Sequence, residues 1–98
     1  MNEIEPVAPA VPVAHPDRKP TIPEVMPALV AYMRVVGIES VMHDGNIEDA
    51  HIDYDIADCE LRGDGQGAEV YRLLRRMSRT QRGKIRERLW VVWREEGR

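Results

Sequence analysis

The sequence predicts an all-α protein: a small four-helix domain behind a disordered, proline-rich N-terminal tail. Three observations carry this expectation. After position 20, apolar residues recur at three- and four-residue spacing, the period of one helix face. Ser, Thr and Asn stand where helix N-caps belong, and two of them are followed three residues later by Glu or Gln. Five of the seven prolines fall within the first twenty residues.

The chain of 98 residues holds one small domain at most. A barrel or a doubly wound sheet needs a longer chain. The longest uncharged apolar run, Val25 to Met33, is far short of the roughly 18 residues a membrane span requires. A single cysteine, Cys59, can form neither an internal disulfide nor an all-cysteine zinc site. A reducing, cytoplasmic setting is therefore expected.

Residues 1–20 contain Pro6, Pro9, Pro12, Pro16 and Pro20. Each proline lacks an N–H and disfavours helix in the residue before it. The Ala and Val between them show no period, so the segment reads as an extended tail. It lacks the basic start of a secretory signal. No arginine flanks the evenly spaced prolines, which favours a plain tether over a ligand for a proline-reading domain. The domain is then residues 21–98. That length is marginal for a solitary core, and a homodimer would help it.

Thr21-Ile22-Pro23-Glu24 has the form of a capping box. Ile22, Val25, Met26, Leu29, Val30, Met33 and Val36 then make one stripe, and Gly37 ends the first helix. Residues 38–45 connect it to the next, with Ile38, Val41 and Met42 as a short extended piece and Asp44-Gly45-Asn46 as a turn. Asn46 is expected to cap the second helix, with Glu48 and Asp49 in its first turn. Ile47, Ala50, Tyr54, Ala57 and Leu61 keep helical spacing to Gly63. Residues 51–56 also alternate with period two, as a strand does. The cap and the glycine favour helix.

Asp64-Gly65-Gln66-Gly67 is a loop and start signal for a third helix with Val70, Leu73, Leu74 and Met77 on its apolar face. Arg72, Arg75 and Arg76 fall on the opposite side. Ser78-Arg79-Thr80-Gln81 is a second capping box, and Ile85, Leu89, Val92 and Trp93 share a face of the helix it starts. The short link makes the third and fourth helices a corner or hairpin.

The formal net charge of −3 hides a polarised chain. Glu39 to Asp64 holds nine acids and one base, and Val70 to Arg94 holds nine bases and one acid. The plainest expectation is that the two segments pack together and their charges meet. An open arginine face, Arg72, Arg75, Arg76, Arg79 and Arg82, could instead bind nucleic acid or an acidic partner. The acidic segment, with Asp55 and Asp58, could bind a basic surface on another protein. A helix-turn-helix reading is weak, because Gly83 interrupts the surface that would read bases.

Catalysis has little support. Glu48 and His51 have the E-x-x-H spacing of carboxylate-bridged metal sites, but the second motif is missing. Asp53, Asp55 and Asp58 are not spaced as a calcium loop. Arg62-Gly63-Asp64 reads as a helix stop and cap. Cys59 reads as a small buried residue. No phosphate-binding glycine loop is present, and no cofactor or metal site is expected. Trp90 points about 140° from Ile85 by helix geometry, which makes it a candidate partner anchor.

The segment Asp44-Gly45-Asn46-Ile47-Glu48-Asp49, then Gly63-Asp64, then Leu73 to Arg82 with its Met77-Ser78-Arg79-Thr80-Gln81-Arg82 core, resembles a group of short phage and prophage proteins. The resemblance spans about residues 24–85. It implies a phage-type accessory protein and transfers no catalytic residue. The proline-rich tail and the Trp-containing C-terminus depart from the group. The expected function is a non-enzymatic protein-binding module, with inhibition of a host defence or regulatory protein as one form. The alternative is a nucleic-acid-binding regulator.

Overall fold

The computed structural model describes residues 19–41 and 47–97. Among them the chain is all-helical, with no strand. The helices are α1 (Ile22–Val36), α2 (Ile38–Val41), α3 (Asp49–Leu61), α4 (Gly65–Arg75) and α5 (Arg79–Glu95). The expected disordered tail lies outside the described residues up to position 18. So do Met42, the Asp44-Gly45-Asn46 turn and the Asn46 cap. Pro20, assigned to the tail, is buried.

The starts of α1, α4 and α5 are built from the residues that announced them. The Glu24 carboxylate accepts from the Thr21 N–H at 2.8 Å. Ser78 and Gln81 bond reciprocally, at 3.1 and 3.0 Å. These bonds satisfy backbone donors that the first helical turn leaves without partners. Asp64 caps α4 by accepting from the Gly67 N–H at 2.9 Å. The α3 helix stops at Gly63, whose φ of +74° suits glycine. Gly37, at φ +93°, ends α1 in the same way.

Two local expectations need correction. The connector after Gly37 is a helical turn and not an extended piece. Ile38 and Val41 are both buried. One helical turn puts residues three apart on the same side, whereas a strand would send them to opposite sides. The α3 helix begins at Asp49 with Glu48 as N-cap, later than an Asn46 cap would start it. Glu48 is extended at φ −93° and ψ 140°, and its carbonyl accepts the first helical bond, from Ile52 N–H at 3.0 Å.

The core is drawn from every helix. Val25, Leu29 and Met33 of α1 meet Val70 and Leu74 of α4 and Ile85 and Leu89 of α5, all fully buried. Tyr32 and Tyr71 cross edge to face, with ring centres 6.1 Å apart. The Tyr71 hydroxyl donates to the Ser40 carbonyl at 2.8 Å and ties α4 to α2. The antiparallel hairpin is formed by α3 and α4. The α4 and α5 helices instead form a corner and share little beyond their junction.

Candidate protein interface

The α3 helix lies along α4, and its acids meet the arginines that follow them in sequence. Glu60 pairs with Arg72. Asp53 pairs with Arg75 at 2.8 Å, and Asp49 approaches the same guanidinium at 3.3 Å. Glu48 pairs with Arg79 at 2.6 Å, and Asp49 with Arg82 at 2.8 Å. The partner numbers fall along α3, from Glu60 to Asp53 and Asp49, as they rise along α4 from Arg72 to Arg75, as antiparallel packing requires. Four of the five arginines proposed for phosphate therefore face carboxylates of their own chain. The fifth, Arg76, is half-buried. Hydrogen bonding to Arg82 and the positive charge around it hold the Asp49 carboxyl below its ordinary range.

Arg82 differs from the rest of the ladder. It is 2% exposed. Its Nε donates to the Leu74 carbonyl at 2.7 Å, and its two terminal nitrogens donate to Ile47 and Arg75 carbonyls at 2.9 and 3.0 Å. Leu74 and Arg75 lie in the last turn of α4, where carbonyls lack the regular helical bond, although Leu74 also accepts from the Met77 N–H at 3.0 Å. The planar fork therefore caps α4, holds the residue leading into α3, and is neutralised by Asp49. Its position is structural.

Asp55 and Asp58 line a cleft of about 310 Å³ with Tyr32, Ser40, Arg62 and Tyr71. Both are half-buried, and Asp58 accepts from Arg62 at 2.9 Å. At the base of the cleft, the Tyr32 hydroxyl donates to Asp64 at 2.5 Å. This bond holds the Asp64 carboxyl below its ordinary range, aided by the Gly67 N–H. Burial pushes up the Tyr32 phenol and also the Cys59 thiol. Cys59 is therefore a neutral thiol, in contact with Tyr32 at 3.9 Å.

The outer face of α3 is the feature that sequence periodicity did not assign correctly. Ile52 and Cys59 are the buried residues of this helix, with Ile56 half-buried beside them. The more regular stripe, Ala50, Tyr54, Ala57 and Leu61, points away from the core and is exposed along its length. Tyr54 is 69% exposed and Leu61 is 87% exposed. The charge ladder explains the choice. Asp49, Asp53 and Glu60 lie some 60–100° from Ile52 by helix geometry. Turning the other stripe inward would rotate them away from the α4 arginines.

Trp90 is half-buried and packs against the core, as does Trp93. On α5 the exposed bases without an ion pair among the described residues are Lys84, Arg88 and Arg94. They share the outer side of α5 with the exposed acids Glu87 and Glu95. No cluster of three metal-ligating side chains forms among the described residues. No helix among them is long and apolar enough to cross a membrane. Comparison with protein-family models, curated proteins and solved structures finds no match.

Proposed function

We propose that this chain is a small non-enzymatic protein-binding module that docks through the outer face of α3. The observation that carries the reading is the exposure of Tyr54 and Leu61 on one side of a helix whose opposite side fills the core. Exposed large apolar residues at helical spacing, bordered by charge, suit a partner helix or groove. Neutralisation of Arg72, Arg75, Arg79 and Arg82 by α3 carboxylates favours this over nucleic-acid binding. The remaining open bases on α5 alternate with acids, which weakens their attraction for a phosphate backbone. The resemblance to phage proteins makes a host defence or regulatory protein a fitting target.

Two experiments test this reading. Proteins retained from native cell lysate by the wild-type chain should be lost with the Leu61→Glu variant and kept with Arg88→Glu. Labelled duplex DNA should show no anisotropy change at about 50 mM salt. Tight, salt-sensitive DNA binding that Arg88→Glu abolishes would replace the proposal with the nucleic-acid reading.

A further inference from the structure

The exposed α3 stripe has an internal pattern that specifies its occupant. Ala50, Tyr54, Ala57 and Leu61 follow one another by four, three and four residues, the spacing of a coiled-coil seam. Small and large side chains alternate along it. We infer that the α3 face receives the same face of a second copy of this chain, antiparallel about a two-fold axis near residues 55 and 56. This rests on the reading of that face as a docking site and names its partner.

The size pattern is complementary to itself only in that direction. Antiparallel pairing sets Tyr54 opposite the partner's Ala57, and Leu61 opposite the partner's Ala50. Every large side chain then meets a small one, four times along the two-fold seam. Parallel pairing would set Tyr54 against the partner's Tyr54 and Ala57 against the partner's Ala57, alternating collision with void.

Charge agrees with the antiparallel choice. One edge of the stripe carries Asp53 and Glu60, each already holding its own arginine, Arg75 and Arg72. Antiparallel docking brings the Asp53–Arg75 pair beside the partner's Glu60 and the partner's Arg72, so Arg72 gains a second carboxylate and Arg75, already beside Asp53 and Asp49, a third. The other edge carries His51 and the Asp58–Arg62 pair. There the His51 ring N–H meets the partner's Asp58. Neither edge confronts an unpaired row of like charges. The seam is about 20 Å long for a helix of this length, at the low end of specific interfaces. The dimer is accordingly weak, with a dissociation constant on the order of 10 µM.

Sedimentation equilibrium of the full chain, from about 1 to 500 µM, tests this around that constant. We expect a reversible monomer–dimer equilibrium. Leu61→Glu and Ala57→Glu should each weaken it at least about tenfold. Val35→Glu, at a position 72% exposed on α1, should leave it within about twofold. All four positions behind these arguments are on the surface, so helical circular dichroism should be retained. Register is read by mixing Ala50→Cys with Leu61→Cys chains under oxidation. A disulfide-linked dimer in the mixture, with neither chain cross-linking alone, supports antiparallel pairing. Cross-linking of each variant with itself overturns it. A dimer indifferent to Leu61→Glu also overturns the proposal. A monomer throughout, with lysate proteins still lost on Leu61→Glu, removes the second copy and leaves the docking face standing. A monomer with no such loss removes both.

Discussion

Arg82 shows how one side chain can join three segments. It bonds two carbonyls in the last turn of α4 and one at the entry to α3, while almost wholly shielded from water. Removing it takes a donor from each of these carbonyls, leaving Leu74 with the Met77 N–H. Arg82→Ala should destabilise the fold by about 3 kcal/mol, measured by urea unfolding. Arg82→Lys should recover only part of that, since an ammonium cannot reproduce the fork. A loss below about 1 kcal/mol for Ala would show that water replaces the guanidinium. Gly67 makes a second residue-scale case. A Cβ there would strike the Tyr32 hydroxyl and lie 2.6 Å from Asp64 Oδ2 and 2.7 Å from Cys59 Sγ. Gly67→Ala should therefore cost about 1–3 kcal/mol despite its better helix propensity. Gly83 has open space around it. The same substitution there should stabilise α5 by up to about 1 kcal/mol, which makes it the natural control. Both glycines lie in helices, and sequence does not distinguish them. Only the approach of α1 and α3 does.

At the scale of the element, α3 is where pattern and packing part. Its sequence offers two faces, one regular and one not, and the less regular face is buried. The assignment predicts a sharp contrast. Ile52→Ala, at a fully buried site, should cost about 2–4 kcal/mol. Leu61→Ala should change stability by less than about 0.5 kcal/mol when measured in the monomer range. The reverse order would put the wrong face inward. Exposed ion pairs are weak individually, so the ladder selects a rotation and a register for α3 more than it drives association with α4. Hydrophobic burial of Ile52 and Cys59 supplies the attraction. The carboxylates decide which way the helix turns while making that contact.

For the whole molecule, titration should limit stability at both ends of the pH scale. Asp49 and Asp64 titrate below the ordinary value of 3.8 in the folded chain. Their contribution is therefore complete above that value and is lost as pH falls through the lower, folded one. Tyr32 and Cys59 titrate above their ordinary values of 10.0 and 9.0. The stability linked to them is full below those values and declines as pH rises past them. Thermal unfolding should show a plateau across neutral pH with a fall on each side. Asp64→Asn should flatten the acid limb, and Tyr32→Phe the alkaline one. Unchanged limbs in both variants would show that the Tyr32–Asp64 contact does not persist in solution. The raised thiol also predicts slow labelling of Cys59 by iodoacetamide at neutral pH, accelerating when the chain is unfolded in urea.

The sequence by itself determined the helical class, the capping boxes at Thr21 and Ser78, the stops at Gly37 and Gly63, and the inward faces of α1, α4 and α5. These are local properties: period, backbone preference and a side chain bonding three residues away. It also determined that opposite charges would lie on successive segments. Tertiary structure decided which of those charges meet, and so converted a prospective phosphate-binding row into an internal ladder. It drew Arg82 inside, folded Ile38–Val41 as a turn, and half-buried Trp90 against the core. It also decided which side of α3 faces out. Each of these depends on a partner distant in sequence, and helical period alone carries no record of where that partner will stand.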